Sequence, residues 1–181
     1  MSYFETPPQL PLPPDYERVS GTWWRPNAAF VSELAQYLQG KRVLEIFAGN
    51  GYLAALLQRE GVEVRPTTLF TGHDGHQSGL YTAVEELDAE SAVLRYGPES
   101  DVLLMAWPTV TEAALRAALL WGPARDIVFV GEITDYSQNH LGGCATDAFF
   151  ECMTFGHRFA SYQGNWIESA RVGRISASAY L

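Results

Sequence analysis

The residues with the clearest chemical potential form a glycine-containing turn early in the chain. Residues 44–54 read LEIFAGNGYLA, an apolar run that carries Glu45, followed by Gly49 and Gly51 and then by a helical pattern. Glycines let the backbone pass close to a ligand, and a helix that begins there offers free amide groups beside it. The pattern therefore predicts a ligand-binding turn at the carboxyl end of a buried strand, where open α/β sheets bind their ligands.

Two other interpretations of this turn make different demands on the sequence. A dinucleotide site needs a third glycine, where this chain has Ala54, and an acidic residue about 20 positions further on. Residues 65–70 contain no acid, so the sequence disfavours a dinucleotide site. A turn with a purely structural role stays open, because a strand that runs directly into a helix can need glycine for its geometry alone.

A second candidate for chemistry is the carboxylate of Glu132. It follows the buried strand pattern IVFV at 127–130, on the side of the sheet where ligands bind. A carboxylate there could accept a proton or bind a cationic group. Equally, it could cap the glycine turn at 142–143, and the sequence does not decide between these roles.

The loop at 72–79 brings His73, Asp74 and His76 close together in the chain. This spacing matches no recognised zinc pattern, so the sequence predicts no metal site. The loop is either simply exposed or supplies a general base through His73 or His76. A metal-dependent hydrolase that uses these three residues is the remaining alternative.

Composition limits the classes of function. The chain has 181 residues, with 12 Lys plus Arg against 21 Asp plus Glu, a formal charge of −9. Such a charge disfavours long nucleic acid as a partner, since phosphate neutralisation dominates that binding. With no secretory leader and no apolar stretch near ~20 residues, we expect a soluble, cytoplasmic protein without a membrane segment. Cys144 and Cys152 are expected to be reduced thiols.

The pattern of elements predicts how these residues are positioned. Residues 1–26 form a proline-rich, extended arm, and 27–181 form one domain. Helices are predicted over 27–38, 52–60, 89–96, 111–120 and 149–155, and strands over 43–47, 62–69, 101–105, 127–130, 158–162 and 171–176, with a short strand or helical turn within 81–87. Strands that alternate with helices indicate an α/β fold with a mostly parallel sheet, helices on both faces and a reversed C-terminal hairpin.

The glycine turn resembles the first motif of the class I S-adenosylmethionine-dependent methyltransferases, acidic-x-Gly-x-Gly-x-Gly. Glu45, Gly49 and Gly51 match the motif, and Phe47 stands where the family often has its first glycine. The family fold is a Rossmann-like sheet of seven strands, and the resemblance covers roughly residues 27–181. It implies that S-adenosyl-L-methionine is the cofactor, that Glu45 holds its methionine end, and that Phe47, Ala48 and the two glycines face it.

Two later segments resemble further motifs of the same family. The segment EELDA at 85–89 resembles the third motif, which implies that Asp88 and Ala89 meet the adenine. The segment DVLLMAWP at 101–108 resembles the fourth motif, which implies that Ala106 lies beside the transferred methyl group. Trp107 either stacks on a planar substrate or packs in the core.

The remaining motifs extend the resemblance without naming a substrate. Trp-Pro, Gly-Glu and Gly-Gly-Cys-x-x-Asp recur in this order in uncharacterised methyltransferase-like proteins. The family usually has an acid for the ribose at the end of its second strand, and the nearest acid here is Asp74.

These observations predict an enzyme that transfers a methyl group to an unidentified acceptor, with a small molecule or a protein favoured. The catalytic candidates are Trp107, Glu132, His73 and His76. An inactive cofactor-binding or regulatory module with the same fold is the alternative, because the fourth motif has no polar residue at Ala106.

Overall fold

The computed structural model describes residues 7–16, 19, 22–70 and 79–180. Within these ranges the helices are α1 (Ala28–Leu38), α2 (Tyr52–Arg59), α3 (Ala89–Tyr96), α4 (Ala113–Trp121) and α5 (Asp147–Cys152). The strands are β1 (Arg42–Ile46), β2 (Glu63–Thr68), β3 (Glu85–Glu86), β4 (Val102–Ala106), β5 (Asp126–Glu132), β6 (Met153–Arg158) and β7 (Glu168–Ile175).

The strands form one mixed sheet in the order β3-β2-β1-β4-β5-β7-β6. Strands β3, β2, β1, β4 and β5 are parallel to one another, whereas β7 is antiparallel to both β5 and β6. The nearly continuous apolar runs of β1 and β4 suit the centre of a parallel sheet, because both faces of such strands are covered. The predicted Rossmann-like sheet with a reversed C-terminal hairpin is confirmed.

Helices cover both faces of this sheet, as the alternation along β4 shows. Val102 and Leu104 face a core shared with α1 and α2, whereas Leu103 and Met105 face a core shared with α3, α4 and α5. Successive strand residues point to opposite faces, so one apolar run supplies both cores. The parallel strands therefore end together at one edge, from which the loops of the candidate site extend.

The C-terminal elements differ from the sequence prediction. The predicted helix over 149–155 is wrong in its second half, because Met153 and Phe155 already belong to β6. The predicted strand over 158–162 is correspondingly displaced. Pairing of Met153 with Ile175 across the hairpin supplies the backbone hydrogen bonds that a longer helix would have made, so tertiary pairing overrides the local helical pattern.

The described part of the proline-rich arm contacts the body of the domain. The Leu10 N–H donates to the Leu80 carbonyl at 2.7 Å, and the Leu80 N–H donates to the Pro8 carbonyl at 2.8 Å. Leu12 and Trp24 pack against the α1/α2 core. The arm thus lies along the segment that follows the undescribed residues 71–78.

The expectations from the sequence about membrane segments, cysteines and metal sites can be compared with the described residues. No helix within them is long and apolar enough to cross a membrane. Both cysteines are free thiols. No group of three potential metal ligands occurs among the described residues, and His73, Asp74 and His76 lie outside them.

Candidate functional site

The glycine turn after β1 is a left-handed backbone segment built from three residues. Phe47, Gly49 and Gly51 have φ values of +62°, +55° and +75°. A Cβ atom on Gly51 would lie 2.7 Å from Val84 Cγ2, which leaves no room for a larger residue. The turn leads directly into α2, so the N-terminal end of that helix lies at the edge of the sheet.

Phe47 has a left-handed conformation, which glycine adopts without strain. A side chain other than glycine costs about 1–2 kcal/mol in this region of φ. Phe47 compensates by packing its half-buried ring against the α3/α4 core. Phe47 therefore holds a backbone angle that usually favours glycine.

Because Phe47 has a positive φ, we expect glycine to be a more stable replacement than alanine at this position, which is the reverse of the usual order in a helix. Phe47→Gly is expected to be more stable than Phe47→Ala by about 1 kcal/mol in urea denaturation, because both lose the ring but only glycine adopts positive φ freely. At Leu94, an exposed position within α3, alanine should instead be the more stable by about 1 kcal/mol. If alanine is the more stable replacement at both positions, the left-handed conformation of Phe47 is contradicted.

Glu45 is the most unusual polar group of the site. Glu45 is only 1% exposed, and its Oε2 has no hydrogen-bond partner among the described residues. Burial raises the pKa of this carboxyl from 4.5 to about 8. Leaving a buried carboxylate unpaired costs several kcal/mol, so a cationic ligand group would satisfy it.

Glu45 opens into a narrow cleft of about 50 Å³. Space of that size holds a few water molecules or an ammonium group. The walls come from the glycine turn, from the end of β4 and from the end of the arm: Thr22, Trp23, Trp24, Glu45, Phe47, Ala48, Gly49, Asn50, Tyr52, Leu53, Ala106, Trp107 and Thr109.

A wide cavity of about 590 Å³ adjoins the cleft. The two share Trp23, Phe47, Trp107 and Thr109 in their walls. The cavity extends from the end of β2 to the end of β5, across the carboxyl ends of the parallel strands. Its position and size suit a ligand larger than the cleft can hold.

Asp88 and Ala89 lie on the β2 side of the wide cavity. Asp88 is the N-cap of α3, and its two carboxylate oxygens accept from the Ser91 N–H at 2.9 Å and from the Ser91 hydroxyl at 2.7 Å. These bonds lower the pKa of Asp88. Asp88 therefore stabilises the start of α3, and it also borders the wide cavity.

Trp107 follows β4 in a left-handed conformation, with φ of +53°. Its backbone N–H donates to the Val130 carbonyl at 2.7 Å, which ties the turn to β5. The indole ring packs on the α3/α4 core and lines both the cleft and the cavity. Its buried Nε1 lies beside the Tyr162 hydroxyl but makes no hydrogen bond of normal geometry within the described residues.

Glu132 is the last residue of β5, and it also borders the wide cavity. Its Oε2 accepts the Gly143 N–H at 2.5 Å. A Cβ atom on Gly142 would lie 2.8 Å from the Glu132 carbonyl carbon, so this segment crosses directly over the strand end. The predicted capping contact is present, and it does not prevent a role in ligand binding.

The cysteine of the Gly-Gly-Cys motif has a packing role. Cys144 is 2% exposed and lies against Gly131. Burial, with the charges of Glu132 and Glu168 adding to it, raises the pKa of this thiol to about 12. A thiol of that kind is a poor nucleophile.

The structure brings together most of the residues that the sequence singled out. Glu45, Phe47, Ala48, Gly49, Ala106 and Trp107 line the cleft, and Asp88, Ala89 and Glu132 join Phe47 and Trp107 around the cavity. Gly51 lines neither space and contacts Thr82 and Val84 instead. His73, Asp74 and His76 lie outside the described residues.

Sequence reasoning missed the tryptophans at the end of the arm and the threonine at the end of β2. Trp23 lines both spaces, Trp24 lines the cleft, and Thr68 lines the wide cavity. The aromatic pair directly before α1 was the available signal for the first two. Thr68 carries no such signal.

Comparisons with known proteins, by sequence and by structure, show which proteins have a similar fold. No protein-family model matches the sequence, and no characterised protein matches it by sequence. The CcbJ methyltransferase from Streptomyces caelestis superposes with a TM-score of 0.51 at 13% identity, over 84% of this chain and 91% of CcbJ. An O-methyltransferase family protein from Burkholderia thailandensis gives a TM-score of 0.50 at 14% identity, over 82% of this chain and 55% of that one.

A mutant of MtNAS in complex with S-adenosylmethionine is similar to the same degree. Its TM-score is 0.53 at 14% identity, over 80% of this chain. The chain spans 58% of the length of MtNAS. Together with the strand order and the reversed hairpin, these similarities show that the chain has the fold of the class I S-adenosylmethionine-dependent methyltransferases.

Proposed function

We propose that the protein binds S-adenosyl-L-methionine and transfers its methyl group to an acceptor in the wide cavity. The observation that carries this proposal is the unpaired carboxyl of Glu45, buried in the cleft beside the glycine turn. An ammonium group of the ligand would satisfy this carboxyl as a charge-assisted hydrogen-bond partner. The cleft is too small for a nucleoside, for which the adjoining cavity has room.

The residues around both spaces fit the parts of such a cofactor. Glu45 would hold the amino group, and the backbone of Phe47, Ala48 and Gly49 would face the amino-acid end. Gly51 would act by shaping the turn. On the nucleoside side the candidates are Asp88, Ala89 and the Thr68 hydroxyl at the end of β2, with Asp74 proposed from the sequence alone.

The transfer step requires alignment more than covalent participation of the protein. The bound cofactor supplies an electrophilic methyl group on sulfur. In such a transfer the acceptor would bond to the methyl carbon as the S–CH₃ bond breaks, the electron pair would stay on sulfur, and the acceptor would lose a proton. Trp107 and Ala106 would position the reacting groups at the end of β4, and Glu132 would accept the proton.

Calorimetry with S-adenosylmethionine and S-adenosylhomocysteine tests the cofactor directly. Binding of both in the micromolar range is expected, with one site per chain. No binding of either at millimolar concentration would end the proposal. The acceptor is proposed to be a small molecule or a protein in the cytoplasm, since the charge of −9 disfavours long nucleic acid.

A second candidate function is that of an inactive module which binds the cofactor. Two observations favour it: Ala106 ends β4 without a polar side chain, and the apolar ring of Trp107 lines the cleft beside it. Cofactor binding without methyl transfer to any of a broad panel of amines, alcohols and thiols would support this candidate.

A further inference from the structure

We infer that the acceptor is an aromatic or similarly apolar molecule that presents an amine to Glu132, and that acceptors bearing carboxylate or phosphate are rejected. This inference rests on the proposed function and names the substrate class of the same site. It follows from the walls of the wide cavity, the charges among them and the backbone that links Glu132 to the end of β4.

Aromatic and aliphatic side chains dominate the walls of the cavity. Trp23, Phe47 and Trp107 present ring surfaces, and Leu69 and Val110 lie at its margin. Trp23, Leu69 and Val110 are all at least half exposed and line the same cavity, and exposed apolar groups that cluster in this way mark binding sites. Such walls favour a planar or apolar ligand.

The charged side chains among the described residues of the cavity are all acidic. They are Asp88, Glu90 and Glu132. Asp88 accepts two hydrogen bonds from Ser91, and Glu90 lies 3.6 Å from Arg116. Glu132 has a single protein donor, the Gly143 N–H, and no cationic partner in the described part of the chain.

A second carboxylate increases the negative potential at the end of β5. Glu168 lies directly opposite Glu132 in the β5–β7 register, and like charges in that position repel. The described partner of the Glu168 side chain is the neutral Tyr162 hydroxyl, which donates to it at 2.9 Å. A cationic or N–H group of a ligand beside Glu132 would relieve this repulsion, whereas an anion would add to it.

The position of Glu132 also compensates for the missing polar residue at the end of β4. Trp107 is tied through its backbone to Val130, and the Cα of Trp107 lies 3.6 Å from the site of a Cβ on Gly131. Glu132 therefore lies on the strand next to Ala106, at the same edge of the sheet. It offers the acceptor oxygen for an amine N–H that Ala106 cannot provide.

Three naphthalene probes of similar size and different charge test this inference: 1-naphthylmethylamine, 1-naphthylmethanol and 1-naphthoate. Calorimetry at pH 7.5, with and without saturating S-adenosylhomocysteine, is expected to show the amine binding at least about tenfold more tightly than 1-naphthoate. Equal affinities, or tighter binding of 1-naphthoate, would overturn the inference.

The variant Glu132→Gln tests whether Glu132 is the residue that makes the amine bind more tightly than 1-naphthoate. The variant keeps an acceptor for the Gly143 N–H, so 1-naphthylmethanol should bind as before while the amine loses its advantage. The matched control Glu63→Gln removes one exposed carboxylate at the opposite end of the sheet and should leave the preference intact. An amine preference that survives Glu132→Gln would remove Glu132 from the site.

Failure of S-adenosylhomocysteine to bind would defeat the proposed function separately, since the probes are also measured without it.

Discussion

Replacing Glu45 by Gln is expected to weaken binding of S-adenosylmethionine and S-adenosylhomocysteine by at least about 100-fold, since a buried ammonium would lose its charged partner. The side chain has almost the same shape in both forms, so the cleft itself should persist. Calorimetry on the wild type and the variant measures the change. The control Glu63→Gln should bind both ligands like the wild type.

The same substitution is expected to stabilise the empty protein at high pH. A carboxyl whose pKa is about 8 in the folded state and 4.5 as its ordinary value binds protons more strongly when folded. It therefore lowers the free energy of unfolding progressively as pH rises from about 4.5 to about 8. Glu45→Gln should gain about 1–3 kcal/mol over the wild type at pH 9 and little at pH 5. A loss of stability at pH 9 would show that Glu45 already has a partner.

Binding of S-adenosylhomocysteine is expected to release about one proton near pH 6.5. The carboxyl of Glu45 is mostly protonated below pH 8, and it must ionise to pair with an ammonium group. The affinity should therefore fall by about tenfold for each pH unit below 8. Calorimetry in two buffers with different enthalpies of ionisation measures the proton count.

A ligand that lacks the amino group is the control for this pH dependence. 5′-Methylthioadenosine carries the same nucleoside without the amino-acid end, so its binding should release no proton and vary little with pH. The same proton release with both ligands would assign the effect to a group other than Glu45.

The central fold and the position of the turn could be predicted because they depend on local chemistry. The strands β1, β4 and β5 are apolar enough to lie between two layers of helices, and that composition can be read directly from the chain. Gly49 and Gly51 mark the turn because few other residues adopt positive φ. Glu45 could be assigned to the ligand side from its place in β1 and from the family motif.

The features that could not be predicted depend on contacts between distant segments. Residues 153–155 have a helical pattern, but they pair with β7 about twenty residues later. Trp23 and Trp24 reach the cleft only because the arm packs against the domain. Glu45 owes its strongly raised pKa to burial, which no short segment of sequence encodes.

The left-handed backbone at Phe47 has a consequence for how such turns are found in sequences. A search pattern that requires glycine at this position passes over a chain in which a phenylalanine adopts the same φ and supports it by packing its ring. A positive φ is a property of the backbone, which residue types other than glycine can adopt at a moderate energetic cost. A pattern that allows aromatic residues at the first position, while keeping the acid and the two later glycines, would include this chain.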